Sequence, residues 1–163
     1  MTDAQLHEHF MREALAEAGK AARLGEVPAG CVIVQNETVI ARAHNMTETL
    51  KNPVAHAEVL AIQQAAAQVG DWRLTDTVLY VTKEPCAMCA GAIVLARVPF
   101  VVCGFSDPKR GGVSLFNIMG NKNLNHQPEV VFDVLRDECL AQFQAFFQER
   151  RKNGSSNDAN GRE

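Results

Sequence analysis

The sequence predicts an α/β fold, a three-layer α/β/α sandwich built on a mixed, mainly five-stranded sheet. Two short apolar runs in the first third of the chain are separated by a polar turn, which is typical of an antiparallel hairpin. Two β-branched runs further along flank a helical segment, and strand–helix–strand units of this length favour parallel neighbours. Amphipathic segments near both ends of the chain predict helices that cover the sheet.

The first half of the chain is predicted to form two helices with a hairpin between them. The elements, in order, are a helix over residues 3–24, strands over 29–34 and 39–43, a polar loop over 44–51 and a helix over 52–69. Asn52 and Pro53 resemble an N-cap followed by the first helical residue, and Gly70 is a typical helix stop. This start places His56 and Glu58 in the first turns of the second helix.

The second half is predicted to continue with alternating strands and helices. The elements are a strand over 78–82, a helix over 86–96, a strand over 100–104, a short helical piece over 115–119, a short strand over 130–132 and a helix over 135–151. Residues 153–163 have the composition of a disordered tail. We therefore expect a single domain over residues 1–152.

Composition and charge fit a cytoplasmic globular protein. The chain has 163 residues and a formal net charge of −3, and it contains no apolar run of membrane-spanning length. Residues 1–20 mix charged residues with alanine and do not resemble a signal peptide. The acidic total does not indicate nucleic-acid binding, although basic residues cluster at Lys109-Arg110 and at 150–152.

Cys86 and Cys89 are three residues apart at a predicted helix start, so both thiols can face one point. The free N–H groups and the dipole at a helix start favour thiolates. By itself this pair also fits a thioredoxin-like redox motif or half of a closed zinc site. The other cysteines, Cys31, Cys103 and Cys139, stand singly inside apolar runs, and we expect them in the core.

His56-Ala57-Glu58 is the second chemical motif, and it also lies near a predicted helix start. Residues two apart diverge by roughly 200° around a helix, so His56 and Glu58 cannot share a face in its interior. A metal off the helix N-terminus can be approached from both sides. His56, Cys86 and Cys89 then supply the three ligands of a catalytic zinc site, which keeps a fourth position for water. Glu58 remains as a carboxylate that can carry the proton.

With these two motifs, H-x-E and P-C-x-x-C, the chain resembles the zinc-dependent cytidine deaminase superfamily. Within that superfamily, residues 10–152 look like the bacterial tRNA-specific adenosine deaminases. The more specific marks are residues 25–30 (GEVPAG), His44-Asn45, residues 84–92 (EPCAMCAGA), Asp107-Pro108-Lys109, Leu124-Asn125-His126 and Phe146-Phe147. The resemblance implies a cytidine deaminase-like fold, one Zn²⁺ per subunit, and a homodimer that contacts a tRNA anticodon stem-loop with both subunits.

The reaction implied by the resemblance is hydrolytic deamination of the wobble adenosine to inosine. His56, Cys86 and Cys89 would hold the zinc, and Glu58 would take a proton from water and return it to the ring and to the leaving ammonia. The implied substrate contacts are Asn45 to the edge of the flipped base, Glu26, Val27, Pro28 and Ala57 at the pocket and its rim, and Asp107, Lys109, Asn125, His126 and Phe147 to the flanking nucleotides and phosphates.

The chain departs from the family pattern in two places. The loop from Asp107 to Leu115 is one residue shorter than in the commoner pattern, so contacts of residues 110–113 are not carried over. Cys31 stands where a small apolar residue is usual, and its position within a predicted strand indicates packing.

Two other functions remain open from the sequence. A deaminase of free bases or nucleosides, of the guanine or cytosine type, would share the zinc constellation. The residues after Cys89, from Asp107 to the Phe-rich basic end, fit a nucleic-acid groove better than a closed small-molecule pocket. A non-catalytic, zinc-bearing RNA-binding subunit is the other alternative, and the presence of Glu58 argues against it because a structural metal needs no general base.

Overall fold

The computed structural model describes residues 1–154, so the predicted tail lies outside the described residues from residue 155 onward. The elements are α1 (Asp3–Arg23), β1 (Gly30–Gln35), β2 (Thr38–His44), α2 (Thr47–Leu50), α3 (Ala57–Val69), β3 (Thr77–Lys83), α4 (Ala87–Leu95), β4 (Phe100–Phe105), β5 (Glu129–Val131) and α5 (Arg136–Lys152). Within residues 1–154, every helix falls short of the length or apolar character that crossing a membrane requires.

The five strands form one mixed sheet in the order β2-β1-β3-β4-β5. β1 pairs antiparallel with β2, as the predicted hairpin requires, and also with β3. β3, β4 and β5 are parallel, with Val81 opposite Cys103 and Val101 opposite Val130. Since these strands share one direction, the segments that follow β3 and β4 meet at the same end of the sheet, where α/β proteins usually bind ligands.

The sheet separates two helical layers, which confirms the predicted α/β/α sandwich. α3 and α4 cover one face, over a core that includes Ile33, Ala61 and Ile93. α1 and α5 cover the other face, over a core that includes Val32 and Cys139. Val32 and Ile33 are neighbours on β1 and enter different cores, because successive side chains of a strand point to opposite faces.

Three cysteines are core residues, as expected from their apolar surroundings in the sequence. Cys31 and Cys103 are fully buried and Cys139 is 1% exposed. Burial raises the pKa of Cys31 and Cys103 well above the ordinary value, and it raises the pKa of Cys139 to about 12. These side chains therefore stay as neutral thiols at physiological pH and behave as small apolar residues.

The start of α3 differs from the prediction. The helix begins at Ala57, with His56 as its N-cap, and not at Asn52-Pro53. The Asn52 side chain accepts a hydrogen bond from the Val54 N–H at 3.1 Å, and the Asn52 carbonyl accepts one from the Ala55 N–H at 3.2 Å. Asn52 therefore closes a local turn instead of capping a helix, a competition that asparagine side chains commonly offer.

The predicted 44–51 loop contains the short helix α2, and the predicted 115–119 helical piece is a series of turns. In that second segment the Phe116 N–H bonds the Gly111 carbonyl at 3.2 Å, and the Ile118 N–H bonds the Gly112 carbonyl at 2.6 Å. Asn117 has a positive φ of 49°. The chain reverses there and cannot continue a right-handed helix.

Candidate metal centre and active site

The N-termini of α3 and α4 carry the predicted metal donors. His56 is the N-cap of α3 and Cys86 is the N-cap of α4, both with extended backbone angles (φ −80°, ψ 152° and φ −70°, ψ 177°). Neither side chain makes a capping hydrogen bond to its own helix. Because both residues lie before the first helical turn, their side chains can turn toward a point off the helix ends.

The structure brings together the three residues that the sequence predicts as ligands. The Nδ1 atom of His56 lies 3.6 Å from the Sγ atoms of both Cys86 and Cys89. All three donor atoms lie within 4.8 Å of one another, with Cys89 buried and the other two half-buried. Sulfur and imidazole nitrogen form a donor set suited to soft or borderline transition metals.

The two thiols are electrostatically coupled. The pKa of Cys86 is lowered to about 4, chiefly by the hydrogen bond that its sulfur accepts from Cys89. His56 lowers this pKa further, whereas burial raises it. The same sulfur–sulfur hydrogen bond, burial and the charge of Glu58 raise the pKa of Cys89. The pair therefore holds one thiolate at neutral pH, and a bound cation would favour the second. This behaviour fits a metal site better than a core cysteine pair.

A pocket opens beside these donors. Its walls are formed by Ala29, Asn45, His56, Glu58, Lys83, Glu84, Cys86, Asp107 and Arg110. Glu58 is the second residue of α3 and is only 6% exposed. Since it lies outside the three-donor cluster but in the same pocket, its carboxylate is placed for proton transfer next to the metal position.

Asn45 offers a second polar group to the pocket. It follows β2, is 2% exposed, and its N–H bonds the Ala29 carbonyl at 3.0 Å. Its side-chain Oδ1 finds no hydrogen-bond partner in the described part of the chain. A buried acceptor without a donor costs free energy, so a ligand that donates a hydrogen bond here gains from satisfying it.

Glu84, which belongs to the 84–92 motif but received no predicted role, organises the loop after β4. The carboxylate is 3% exposed. It accepts backbone N–H bonds from Asp107 at 2.9 Å, Val113 at 3.0 Å and Ser114 at 2.8 Å, and the Ser114 hydroxyl at 2.6 Å. A Cβ on Gly111 would lie 1.8 Å from the carboxylate, so this approach requires glycine. The signal available in the sequence was a charged residue placed next to Pro85 at a strand end.

Glu26 is buried, and its carboxylate faces α2 instead of the pocket. It is 1% exposed and accepts hydrogen bonds from the N–H and hydroxyl of Thr49, both at 2.6 Å, and from Thr47 and the Glu48 N–H. Burial raises the pKa of Glu26, but these hydrogen bonds outweigh it and lower the pKa from its ordinary value. Its neighbours, half-buried Val27 and buried Pro28, connect it to the pocket residue Ala29.

Two of the remaining predicted contacts, Ala57 and Lys109, lie near the pocket. Ala57 is fully buried at the start of α3, between the candidate ligand His56 and Glu58. Lys109 is exposed in the loop after β4, and its N–H bonds the Asp107 carboxylate at 3.1 Å.

Asn125, His126 and Phe147 are placed differently. The His126 Nε2 donates to the Val98 carbonyl at 2.7 Å, just before β4 begins, and Asn125 is exposed next to it. The pocket lies beyond the other end of β4, about 20 Å away at 3.3 Å per residue. Phe147 is 5% exposed and packs on Phe143 and Phe146, with ring centroids 4.9 Å and 5.2 Å away. These three residues are not brought to the pocket within one chain.

The chain is similar to known deaminases over nearly its whole described length. The sequence profile of the MafB19-like deaminases matches residues 5–151. A tRNA-specific adenosine deaminase from Bacillus subtilis (strain 168) is 53% identical over 147 residues, which cover 89% of this chain and 91% of the relative. A solved structure from work on A-to-I editing by tRNA:A34 deaminases at the wobble position of transfer RNA has a TM-score of 0.80 and 41% identity, and the match covers 82% of this chain and 98% of that one. A guanine deaminase from Nitrosomonas europaea has a TM-score of 0.75 at 23% identity, covering 85% and 83% of the two chains, and shares the fold alone.

Proposed function

The chain belongs to the deaminase family that includes the tRNA-specific adenosine deaminases, and we propose on that premise that it converts adenosine to inosine at the wobble position of a tRNA anticodon loop. The observation that carries the proposal is a His/Cys/Cys donor cluster at the wall of a pocket that the buried carboxylate of Glu58 also lines. The reaction consumes one water, breaks the bond between C6 and the exocyclic nitrogen, and releases ammonia.

His56, Cys86 and Cys89 would hold one Zn²⁺. The donor chemistry supports zinc, because two thiols and one imidazole are the ligands of known catalytic zinc sites and leave a position open. Zinc bound there supplies a Lewis acid that allows water to lose a proton near neutral pH. The lowered pKa of Cys86 keeps that ligand ready as a thiolate.

Glu58 would move the protons of the reaction. It takes a proton from the attacking water and passes it to the ring nitrogen next to C6. A second transfer from the attacking oxygen to the exocyclic nitrogen lets ammonia leave. The carboxylate ends the cycle in its starting state. Its burial keeps solvent water from competing for these protons.

Asn45 would orient the substrate. Its unpaired Oδ1 can accept a hydrogen bond from the base edge, and the same buried acceptor penalises a ligand that lacks a donor there. Ala57 lies between His56 and Glu58, so the backbone of α3's first turn can border the base on the metal side. Glu26 acts indirectly on the pocket, because it fixes α2 directly after Asn45 and Met46.

The RNA would approach over the end of the sheet that carries the pocket. Lys109 and Arg110 are exposed in the loop that borders it. α5 packs beside this end through Phe143 and Phe105, with ring centroids 5.5 Å apart, and its last turn carries residues 150–152, all basic. Although the total charge is acidic, Lys109 and Arg110 offer exposed positive charge at the edge of the pocket, and the end of α5 offers more, which would attract phosphates.

The proposed enzyme is a single deaminase domain over residues 1–152 that acts as a cytoplasmic homodimer. Exposed apolar side chains on α4 and on the loop after β4 support self-association: Leu95 is 69% exposed, Phe116 54%, Leu115 51% and Met88 36%. The cytoplasmic assignment follows from a tRNA substrate. Asn125 and His126 lie far from the pocket of their own chain, so their predicted RNA contacts require the second subunit or a remote part of the RNA.

The test is ammonia release and inosine formation on an anticodon stem-loop, measured beside free guanine, cytosine and adenosine. We expect turnover of the stem-loop and none of the free bases or the nucleoside. If the protein deaminates a free base and does not deaminate the stem-loop, the proposal is wrong and the protein is a small-molecule deaminase. Binding of the stem-loop without any product would indicate a non-catalytic RNA-binding subunit.

A further inference from the structure

Lys83 is a buried ammonium group at the boundary between the central pocket and a second groove. It is the last residue of β3, is 7% exposed, and lines both the pocket and a groove between the end of β4 and α5. Burying an ammonium group is unfavourable unless an anion and good contacts compensate it. The buried Lys83 ammonium therefore needs an anion and close packing around it.

An ion pair and an aromatic contact are among the interactions that hold the ammonium. The Nζ atom lies 3.2 Å from Oδ2 of Asp107, in an ion pair whose side chains are only 9% and 13% exposed. The same atom lies 4.8 Å from the centroid of the Phe143 ring on α5, a distance that suits a cation–π interaction. Lys83 thus connects the end of the sheet, the loop after β4 and α5 at the edge of the pocket.

Glu84 and Asp107 anchor different parts of the loop after β4. Glu84 accepts three backbone N–H groups of residues 106–114, which holds the course of the chain. Asp107 uses Oδ1 for the N–H groups of residues 109 and 110 and presents Oδ2 to Lys83. Removal of the Lys83 charge therefore leaves these backbone anchors in place and frees Oδ2 of Asp107 from its ion pair.

We infer that Lys83 is a positioning residue for RNA binding, which acts through Asp107 and not on the reacting base. The inference rests on the proposed function and on the contact to a flanking nucleotide that the family resemblance implies for Asp107. A carboxylate that is already fixed loses less conformational freedom when it accepts hydrogen bonds from that nucleotide. The adjacent cation also balances the negative charge of Asp107, which would otherwise repel the approaching phosphates.

The first experiment compares Lys83→Met with wild type in steady-state deamination of the anticodon stem-loop. Methionine is unbranched and only one atom shorter than lysine, so it can still pack on Phe143, but it carries no charge. We expect KM to rise about tenfold, the loss typical of one charged hydrogen-bond partner, with kcat within about twofold. Lys122→Met is the matched control, because Lys122 is an exposed lysine outside the pocket, and its KM should stay within about twofold of wild type.

A double-mutant cycle separates positioning from a merely structural role. Asp107→Asn removes the partner, so the variant Lys83→Met/Asp107→Asn should have the same KM as Asp107→Asn alone. Circular dichroism and metal content verify that each variant is folded and loaded. Lys83→Leu is the second uncharged replacement if Lys83→Met does not fold. A KM that rises additively in the double variant would overturn the inference.

The outcomes for the two proposals differ. No turnover of the stem-loop by wild type overturns the proposed function and this inference together. Turnover by wild type with an unchanged KM in the folded Lys83 variant overturns the positioning role alone. A fall in kcat at constant KM would move Lys83 to the chemical step, and it also rejects the inference.

Discussion

Replacement of Glu84 by glutamine tests whether one buried carboxylate holds the loop at the edge of the pocket. The wild-type side chain accepts hydrogen bonds from Asp107, Val113 and Ser114 on its two oxygens. Glutamine has nearly the same shape but only one acceptor oxygen. With that oxygen toward Val113 and Ser114, the amide nitrogen faces the Asp107 N–H, which then loses its acceptor.

The expected cost follows from these bonds. A buried N–H without an acceptor costs about 1–3 kcal/mol, and the remaining bonds lose the strength that a charged acceptor gave them. We therefore expect Glu84→Gln to reduce the free energy of unfolding by about 3 kcal/mol. For a domain of this size each kcal/mol corresponds to about 2–4 °C, so Tm should fall by roughly 6–12 °C.

Two measurements check this prediction. Thermal unfolding followed by circular dichroism gives Tm, and trypsin reports the loop, because Lys109 and Arg110 are exposed cleavage sites within it. We expect faster cleavage there in Glu84→Gln. Glu8→Gln on the exposed side of α1 is the control and should leave both readouts at wild-type values. A Tm within about 2 °C of wild type with an unchanged cleavage rate would refute the reasoning.

Three further variants test the other assignments. Glu58→Ala should lower kcat about 10³-fold without loss of bound metal, and full activity in that variant would exclude Glu58 as the proton carrier. Leu95→Glu should convert the proposed dimer to a monomer in light scattering, whereas a dimer mass in that variant would exclude Leu95 from the interface. The pKa of Glu26 is lowered, so the stability that it contributes is present above the ordinary value of 4.5 and is lost as pH falls through the folded value below it. The Tm difference between wild type and Glu26→Gln should therefore shrink on acidification below that value, and a difference independent of pH would contradict the assignment.

The fold was predictable because its signals are local and periodic. Apolar periodicity located the α1, α3 and α5 helices and all five strands, with boundaries shifted by a few residues. The start of α3 was wrong because Asn52 closes its own turn, a choice that an Asn-Pro pair leaves open. That error did not affect the site, because His56 still lies at the N-terminus of α3, as its N-cap. A side chain at that position can reach a metal beyond the end of the helix.

The surroundings of the metal donors were less predictable. The position of Glu84 next to Pro85 is the one sequence signal here, and it does not predict that Lys83 and Glu84 turn inward at the end of β3, because charged residues at strand ends are usually solvated. The burial of Phe147 and the remote position of His126 depend on how α5 and the 106–128 loop cross the sheet. These positions depend on tertiary packing between segments that are distant in the sequence, and no local sequence pattern reveals them.

The candidate metal donors Cys86 and Cys89 lie 30 and 33 residues after His56 in the chain, so the three donors come from the starts of two different helices. An ion held by them would tie α3 to α4 across β3, so its binding free energy would add to the free energy of folding. Well above the dissociation constant, each tenfold rise in free metal would add about 1.4 kcal/mol of stability. The abundance of the folded protein would then follow metal supply as well as synthesis. Metal starvation would loosen the α3–α4 layer first, while the α1–α5 layer, which carries none of the three donors, would keep its packing.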